Sequence, residues 1–249
     1  MAEGRGIRGG SGVDELARAF GLALGLLVSG DRELYGIVAL SLEVSLAATL
    51  IACLLGMPAG MALALFRFPG RRMLVVATSA LMGLPPVVVG LFVYLLLSRA
   101  GPLGALGLLY TPAAMVIAQT VLVTPIVTAL TRELGESLLA EYGDFLAAMG
   151  RRGLRAIPTL LHEGRHALVT VALAGFGRAI AEVGAVMMVG GNIRHVTRVM
   201  TTAIALETGK GEIALALALG LVLLTVALAV NALAHLTRLR EAELAHARA

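Results

Sequence analysis

Charge is scarce in this 249-residue chain: Asp, Glu, Lys and Arg make up 14% of it, while apolar residues reach 58%. A soluble domain carries about a quarter charged residues. A water-exposed globular surface is therefore excluded, and a membrane-embedded chain is implied. Cysteine is nearly absent too. The single Cys53 lies inside an apolar run, which excludes a disulfide framework and a cysteine-based metal site. Lysine is rarer still relative to its usual share: 19 of the 20 basic residues are arginine. Most of them sit in short segments between apolar runs, so the pI near 9.8 reports membrane topology rather than nucleic-acid binding. No cleavable signal peptide is expected from the Gly/Arg-rich first residues. The length leaves room for one membrane domain and no second folded module.

What is present is a set of five long apolar stretches, at 37–66, 73–98, 109–130, 167–191 and 213–236. Each is long enough to cross a bilayer as a helix, which takes about 20 residues. The shorter stretch 13–29 carries Asp14, Glu15 and Arg18 and fits an interfacial amphipathic helix better than a span. The expected organisation is a tail and amphipathic helix over 1–34, a transmembrane domain over 35–236 and a tail over 237–249. Eleven basic residues fall in the loop 67–72, the insertion 131–166 and the C-terminal tail. With five spans these three segments share one side, and the positive-inside rule makes that side cytoplasmic and puts the N-terminus outside. Prolines break the spans, most of all Pro85-Pro86, which are candidates for the lining or gate of a pathway as well as for simple kinked packing.

The fourth apolar stretch carries Arg178 and Glu182, four residues apart and so on one face of a helix. Two unpaired charges at mid-helix cost about 5–7 kcal/mol on insertion scales. The nine Leu, Ile, Val and Phe residues of 167–191 return about 3–5 kcal/mol. This helix is a marginal span alone. It needs a neighbour, self-pairing or water, and an ionisable pair at such depth marks a functional site. One reading is that the pair neutralises itself and fixes helix packing. The other is that Arg178 faces a translocation route, where a cation favours an anion.

The insertion 131–166 is polar and basic. Within it Asp144, Ala147, Ala148 and Gly150, followed by Arg151 and Arg152, form a short helical stretch with small residues ended by glycine. Such a knob on the cytoplasmic face suits docking of a partner, and its arginines suit lipid head groups equally well.

Here the chain resembles a known family, the permeases of ABC importers. Their cytoplasmic loop has an acid six residues before a glycine, as Asp144 stands before Gly150. Phe145 and Leu146 replace the usual Ala-Ala, and His162-Glu163 replace a usual Leu-Pro. The stretches GFGRAIAEVGAVMMVGGNIR (175–194), TRVMTTAIALETGKGEIALALALGLVLL (197–224) and LMGLPPVVVGLFVYLLLSRAGPLGALGLLYTPAAMVIAQT (81–120) look like oxyanion-importer permeases, most of all those for tungstate. The resemblance covers roughly 35–236. It implies an all-α integral membrane fold of about five transmembrane helices plus the N-terminal interfacial helix, of the type I ABC-importer kind with a coupling-helix loop. It also implies a second copy of the chain, two ATPase subunits that bind ATP and Mg, and an extracytoplasmic binding protein. The chain itself would hold no cofactor and no metal, and would sit in a prokaryotic cytoplasmic membrane. The expected cargo is tungstate, with molybdate or sulfate as alternatives. On this reading Asp144, Ala147, Ala148, Gly150, Arg151 and Arg152 couple to the ATPase, and Arg178, Glu182, Pro85 and Pro86 belong to the pathway.

Two other classes stay in view. His162-Glu163-Gly164-Arg165-His166 matches the two-histidine zinc motif HExxH, which would make the chain an intramembrane metalloprotease. Gly164 weakens the helix that must hold both histidines on one face. A catalytic zinc also needs a third protein ligand, and the aspartates Asp14, Asp31 and Asp144 all lie upstream. A passive membrane anchor would explain the spans but not the intramembrane arginine. Gly209-Lys210-Gly211 fails as a phosphate loop, because Ile204 stands where its first glycine belongs and Gly211 where Ser or Thr is required.

Overall fold

The computed structural model of the chain describes residues 17, 20–22, 24, 25, 28–150 and 153–246, with side chains through 236. Most of the 13–29 segment, Arg151, Arg152 and the side chains of the C-terminal tail lie outside the described residues. Leu24, which is inside, shares an apolar groove with Leu221, Val222 and Thr225.

Nine helices carry the fold among the described residues: α1 (Arg32–Leu65), α2 (Arg71–Met82), α3 (Pro86–Leu97), α4 (Pro112–Ala148), α5 (Ile157–Glu163), α6 (Arg165–Ile180), α7 (Gly184–Gly190), α8 (Met200–Lys210) and α9 (Ile213–His246). Three of them, α1, α4 and α9, are long and apolar enough to cross a membrane unbroken. The other two expected spans are each in two pieces. α2 and α3 meet at 103° and α6 and α7 at 59°. Counting each bent pair as one gives five.

The breaks follow from local chemistry. At Gly83-Leu84-Pro85-Pro86, neither proline can donate to the helix ladder, and Pro86 holds Pro85 extended (φ −62, ψ 121). Pro86 then starts α3 at its first position, where a missing N–H costs nothing. The interruption expected at Pro85-Pro86 within 73–98 is thus a full break, with the two pieces 103° apart.

A second correction concerns the third span. The helix begins where Thr111 caps it, accepting from the Ala114 N–H, and Pro112 follows. It does not stop at 130. It runs 37 residues to Ala148, about 55 Å at 1.5 Å per residue. Apolarity ends at Leu130, but the residues beyond are mostly Leu, Ala, Glu and Arg, good helix formers that need no lipid. Asp144, Ala147 and Ala148 therefore end a rigid rod, where a separate short helix was expected.

α1 and α4 form the central pair, the most extensive contact in the molecule. Glycine lets them close up: a methyl at Gly56 would lie 3.0 Å from Val127 Cγ1, and one at Gly135 would lie 2.8 Å from Ala64 Cβ. A core of Val44, Val89, Met115, Ala118, Val186 and Val189 joins α1, α3, α4 and α7. At one pole Leu146, Ala156 and Leu160 fold the α4–α5 corner back onto Met61 of α1. At the other, Glu33 of α1 pairs with Arg194 from the loop after α7.

Candidate functional site

The two breaks meet. A methyl at Gly184, at the start of α7, would touch Val87 Cγ2 at 2.6 Å and the Val87 backbone nitrogen at 3.4 Å. One at Gly90 would sit 2.6 Å from Ala185 Cα. The first turns of α3 and α7 are thus in backbone-close contact, which places Pro85 and Pro86 beside the Ala181–Val183 turn.

Glu182 lies in that turn, outside both flanking helices, and not on one continuous helix with Arg178 as expected. The pair still forms. Arg178 Nη1 donates to Glu182 Oε2 at 2.6 Å. The other carboxylate oxygen, Oε1, accepts the Ala185 N–H at 3.0 Å. Glu182 therefore binds a cation and caps the N-terminus of α7, where the helix dipole also favours an anion. Its side chain is 3% exposed, while that of Arg178 is 33% exposed. The carboxylate is buried and its partner is the accessible member.

A polar column surrounds this turn. Gln119 of α4, buried, donates from Nε2 at 3.0 Å to the Ala179 carbonyl near the end of α6, which also accepts the Glu182 N–H at 3.1 Å. Thr201 donates to the Glu182 carbonyl at 2.7 Å. Ser41 of α1 accepts the Met200 N–H at 2.7 Å and donates to Ile37. Ser41, Ser45, Gln119, Glu182 and Thr201 line a small chamber, and Gln119 Oε1 is a buried acceptor with no partner among the described residues. Sequence reasoning passed over Gln119, Ser41, Ser45 and Thr201. Gln119 was the findable one, a lone amide in an apolar window.

The knob is at the far end of α4. Gly150 adopts φ +69, the left-handed conformation that ends helices and suits glycine. Asp144 is exposed, and Leu146 is buried against Met61 and Leu160. Beside them Phe145, Met149 and Leu154 are 63%, 57% and 71% exposed. Such an apolar patch at a helix end reads as a contact surface. Phe145, a departure from the expected small residue, is thus one of its prominent members.

Comparison with known proteins decides the family. The chain is 42% identical to a tungstate uptake system permease protein of Peptoclostridium acidaminophilum over 220 residues, 88% of this chain and 96% of that one. It is 42% identical to a probable anion ABC transporter permease protein of Haloferax volcanii over 205 residues, 80% of this chain and 88% of that one. The chain belongs to the ABC transporter permeases. A molybdenum transport system permease protein of Mycobacterium tuberculosis is further off, 30% identical over 180 residues, 68% of this chain and 66% of that one. No family model matches.

Two sequence features of the permease lose their rival readings. The zinc-like motif straddles a helix break: His162 and Glu163 end α5, Gly164 forms the corner, and His166 belongs to α6. The spacing that would put both histidines on one helical face is lost, and the protease reading has no support. Gly211, at φ +83, is the C-cap of α8, and Lys210 Nζ pairs with Glu207 Oε1 at 3.0 Å. That lysine neutralises a nearly buried carboxylate. The same pole holds Arg198 between Glu33 and Glu207, and the Glu33 carboxylate holds the Arg194 guanidinium above its ordinary arginine value.

Proposed function

We propose that this permease carries tungstate across the cytoplasmic membrane as the membrane subunit of an ATP-driven importer. The observation that carries a pathway through the bundle is the contact between two broken spans around the buried Glu182 and its half-buried partner Arg178. Unbroken helices can only pack. Two interrupted helices with facing ends form a junction that can open by small rotations. Glu182 is saturated by Arg178 and by the α7 N-terminus, so it offers little repulsion to an anion. Arg178, the exposed partner, lies where a passing oxyanion would meet positive charge. What favours tungstate over molybdate is the near full-length match to the tungstate uptake permease, against a shorter and weaker match to the molybdenum permease.

In this reading the permease works as a pair of copies, with two ATPase subunits that bind ATP and Mg, and an extracytoplasmic binding protein delivers the anion. The Asp144–Gly150 end of α4 docks on the ATPase. Its exposed Phe145 and Met149, with Leu154 in the turn beyond, are suited to a protein cleft. That end, the loop 67–72 and the C-terminus face the cytoplasm. The Glu33–Arg194 pole faces outward.

The test is uptake of labelled tungstate and molybdate by vesicles holding the permease, its ATPase and its binding protein. ATP-dependent accumulation of tungstate at low concentration, with molybdate competing weakly, is expected. Equal uptake of the two anions would remove the tungstate assignment, and no ATP-dependent uptake of either would remove the importer.

A further inference from the structure

α2 is an unusual helix for this molecule. None of its residues is buried, yet it leads directly to the Gly83–Pro86 break. Among the described residues, its polar contacts to other elements all come from one side chain, Arg71. Arg71 Nε donates to the Leu63 carbonyl at the end of α1, at 2.7 Å. Its Nη2 donates to Glu136 of α4 at 2.6 Å. Glu136 is gripped a second time by Arg132, one turn earlier on the same helix, with both contacts at 3.0 Å. Arg132 is 14% and Arg71 28% exposed on their side chains, while Glu136 between them is 41% exposed.

We propose that Arg71, Glu136 and Arg132 form a charge clamp that couples the knob to the junction of broken spans. This rests on the reading of the α4 end as the ATPase docking site. The geometry supplies each link. Glu136 and Asp144 are on one unbroken helix, two turns apart, so a displacement of the knob reaches Glu136 undamped. α1 moves with α4, because the close approaches at Gly56 and Gly135 leave no slack between them. Arg71 is tied to both at once, through Leu63 and Glu136. α2 then carries the movement to Pro85, whose neighbour Val87 lies against Gly184, two residues past Glu182. An otherwise shallow helix would slide over α4 without this anchor. Arg71, Glu136 and Arg132 are positioning residues. They touch no substrate.

The test reads tungstate accumulated per ATP hydrolysed, in vesicles holding the permease with its ATPase and binding protein, for wild type, Arg71→Ala, Glu136→Ala and the double variant. Each single variant is expected to lower the ratio about 2- to 30-fold, the span of coupling that one contact carries, with ATP hydrolysis and subunit co-elution retained. The double variant is expected to lose less than the product of the two single losses, since both remove the shared Arg71–Glu136 contact. Ratios unchanged in assembled single variants would overturn the clamp, as would losses that multiply in the double. Should Arg71→Ala not assemble, Arg71→Lys is read instead. It keeps the charge but cannot hold Leu63 and Glu136 together in one fork, so a lowered ratio supports the clamp and an unchanged one overturns it. Wild type transporting no tungstate would sink the function reading itself, an outcome distinct from failure of the clamp.

Discussion

Glu182 shows how much one buried side chain can set. Each of its carboxylate oxygens has one strong partner, the Arg178 guanidinium and the Ala185 N–H. Removing Arg178 leaves a carboxylate 3% exposed with a single backbone donor. Breaking a buried pair from one side costs about 3–5 kcal/mol, because the remaining charge is uncompensated. Arg178→Ala is thus expected to lower the melting temperature of the purified permease and abolish uptake. Arg178→Ala with Glu182→Gln should recover most of the stability but not the transport, since the charge penalty is gone and the cation is still missing. A single variant as stable as wild type would mean that Glu182 reaches water in the working protein. The pair was legible in the sequence from its spacing. That Glu182 caps a second helix was not, because i to i+4 spacing looks the same whether or not the helix continues through it.

At the scale of elements, contacts between helices decide which glycines matter. Gly90 and Gly177 are both mid-helix glycines in apolar stretches. A methyl on Gly90 would overlap Ala185 Cα, which belongs to the backbone and has nowhere to go. A methyl on Gly177 would meet only Val230 Cγ1 at 4.0 Å, an ordinary contact. Gly90→Ala is expected to destabilise by about 1–3 kcal/mol through overpacking. Gly177→Ala is expected to be neutral or to stabilise by up to about 1 kcal/mol, the helix propensity gain. Thermal unfolding in detergent separates them, and equal effects would contradict the α3–α7 contact. The breaks themselves were half legible. Pro85-Pro86 announces an interruption. The Ala181–Val183 turn has no proline, so its sequence places Glu182 mid-helix. The extension of α4 to Ala148 was hidden for a different reason: span boundaries were drawn from apolarity, and the backbone ladder ignores it.

For the whole molecule the open quantity is orientation. On the proposed orientation the α4–α5 corner lies inside and the loop after α7 outside, as the arginine bias favours. In a Cys53→Ala background, Arg155→Cys and Arg194→Cys place single thiols at exposed positions of opposite poles. A membrane-impermeant thiol reagent applied to intact cells is expected to label position 194 and to reach 155 only after the membrane is opened. Both labelled from outside would end the five-span topology. The same comparison carries the coupling mechanism, since the knob must face the compartment that holds ATP.

By itself the amino-acid order determined that this protein lives in a bilayer, how many apolar segments it has, where arginine biases its loops, and which permease group it belongs to. Those properties are local sums: hydropathy over about twenty residues, charge counts in loops, and stretches matched in register. Only the tertiary structure decided that two of those segments are broken, that their breaks touch, that Gln119 and Ser41 face Glu182, and that Arg71 ties α2 to α1 and α4. Each of these depends on residues distant in the chain being pressed together, Ser41 and Glu182 among them. Transfer free energies carry no direction, so no running sum along the chain contains them.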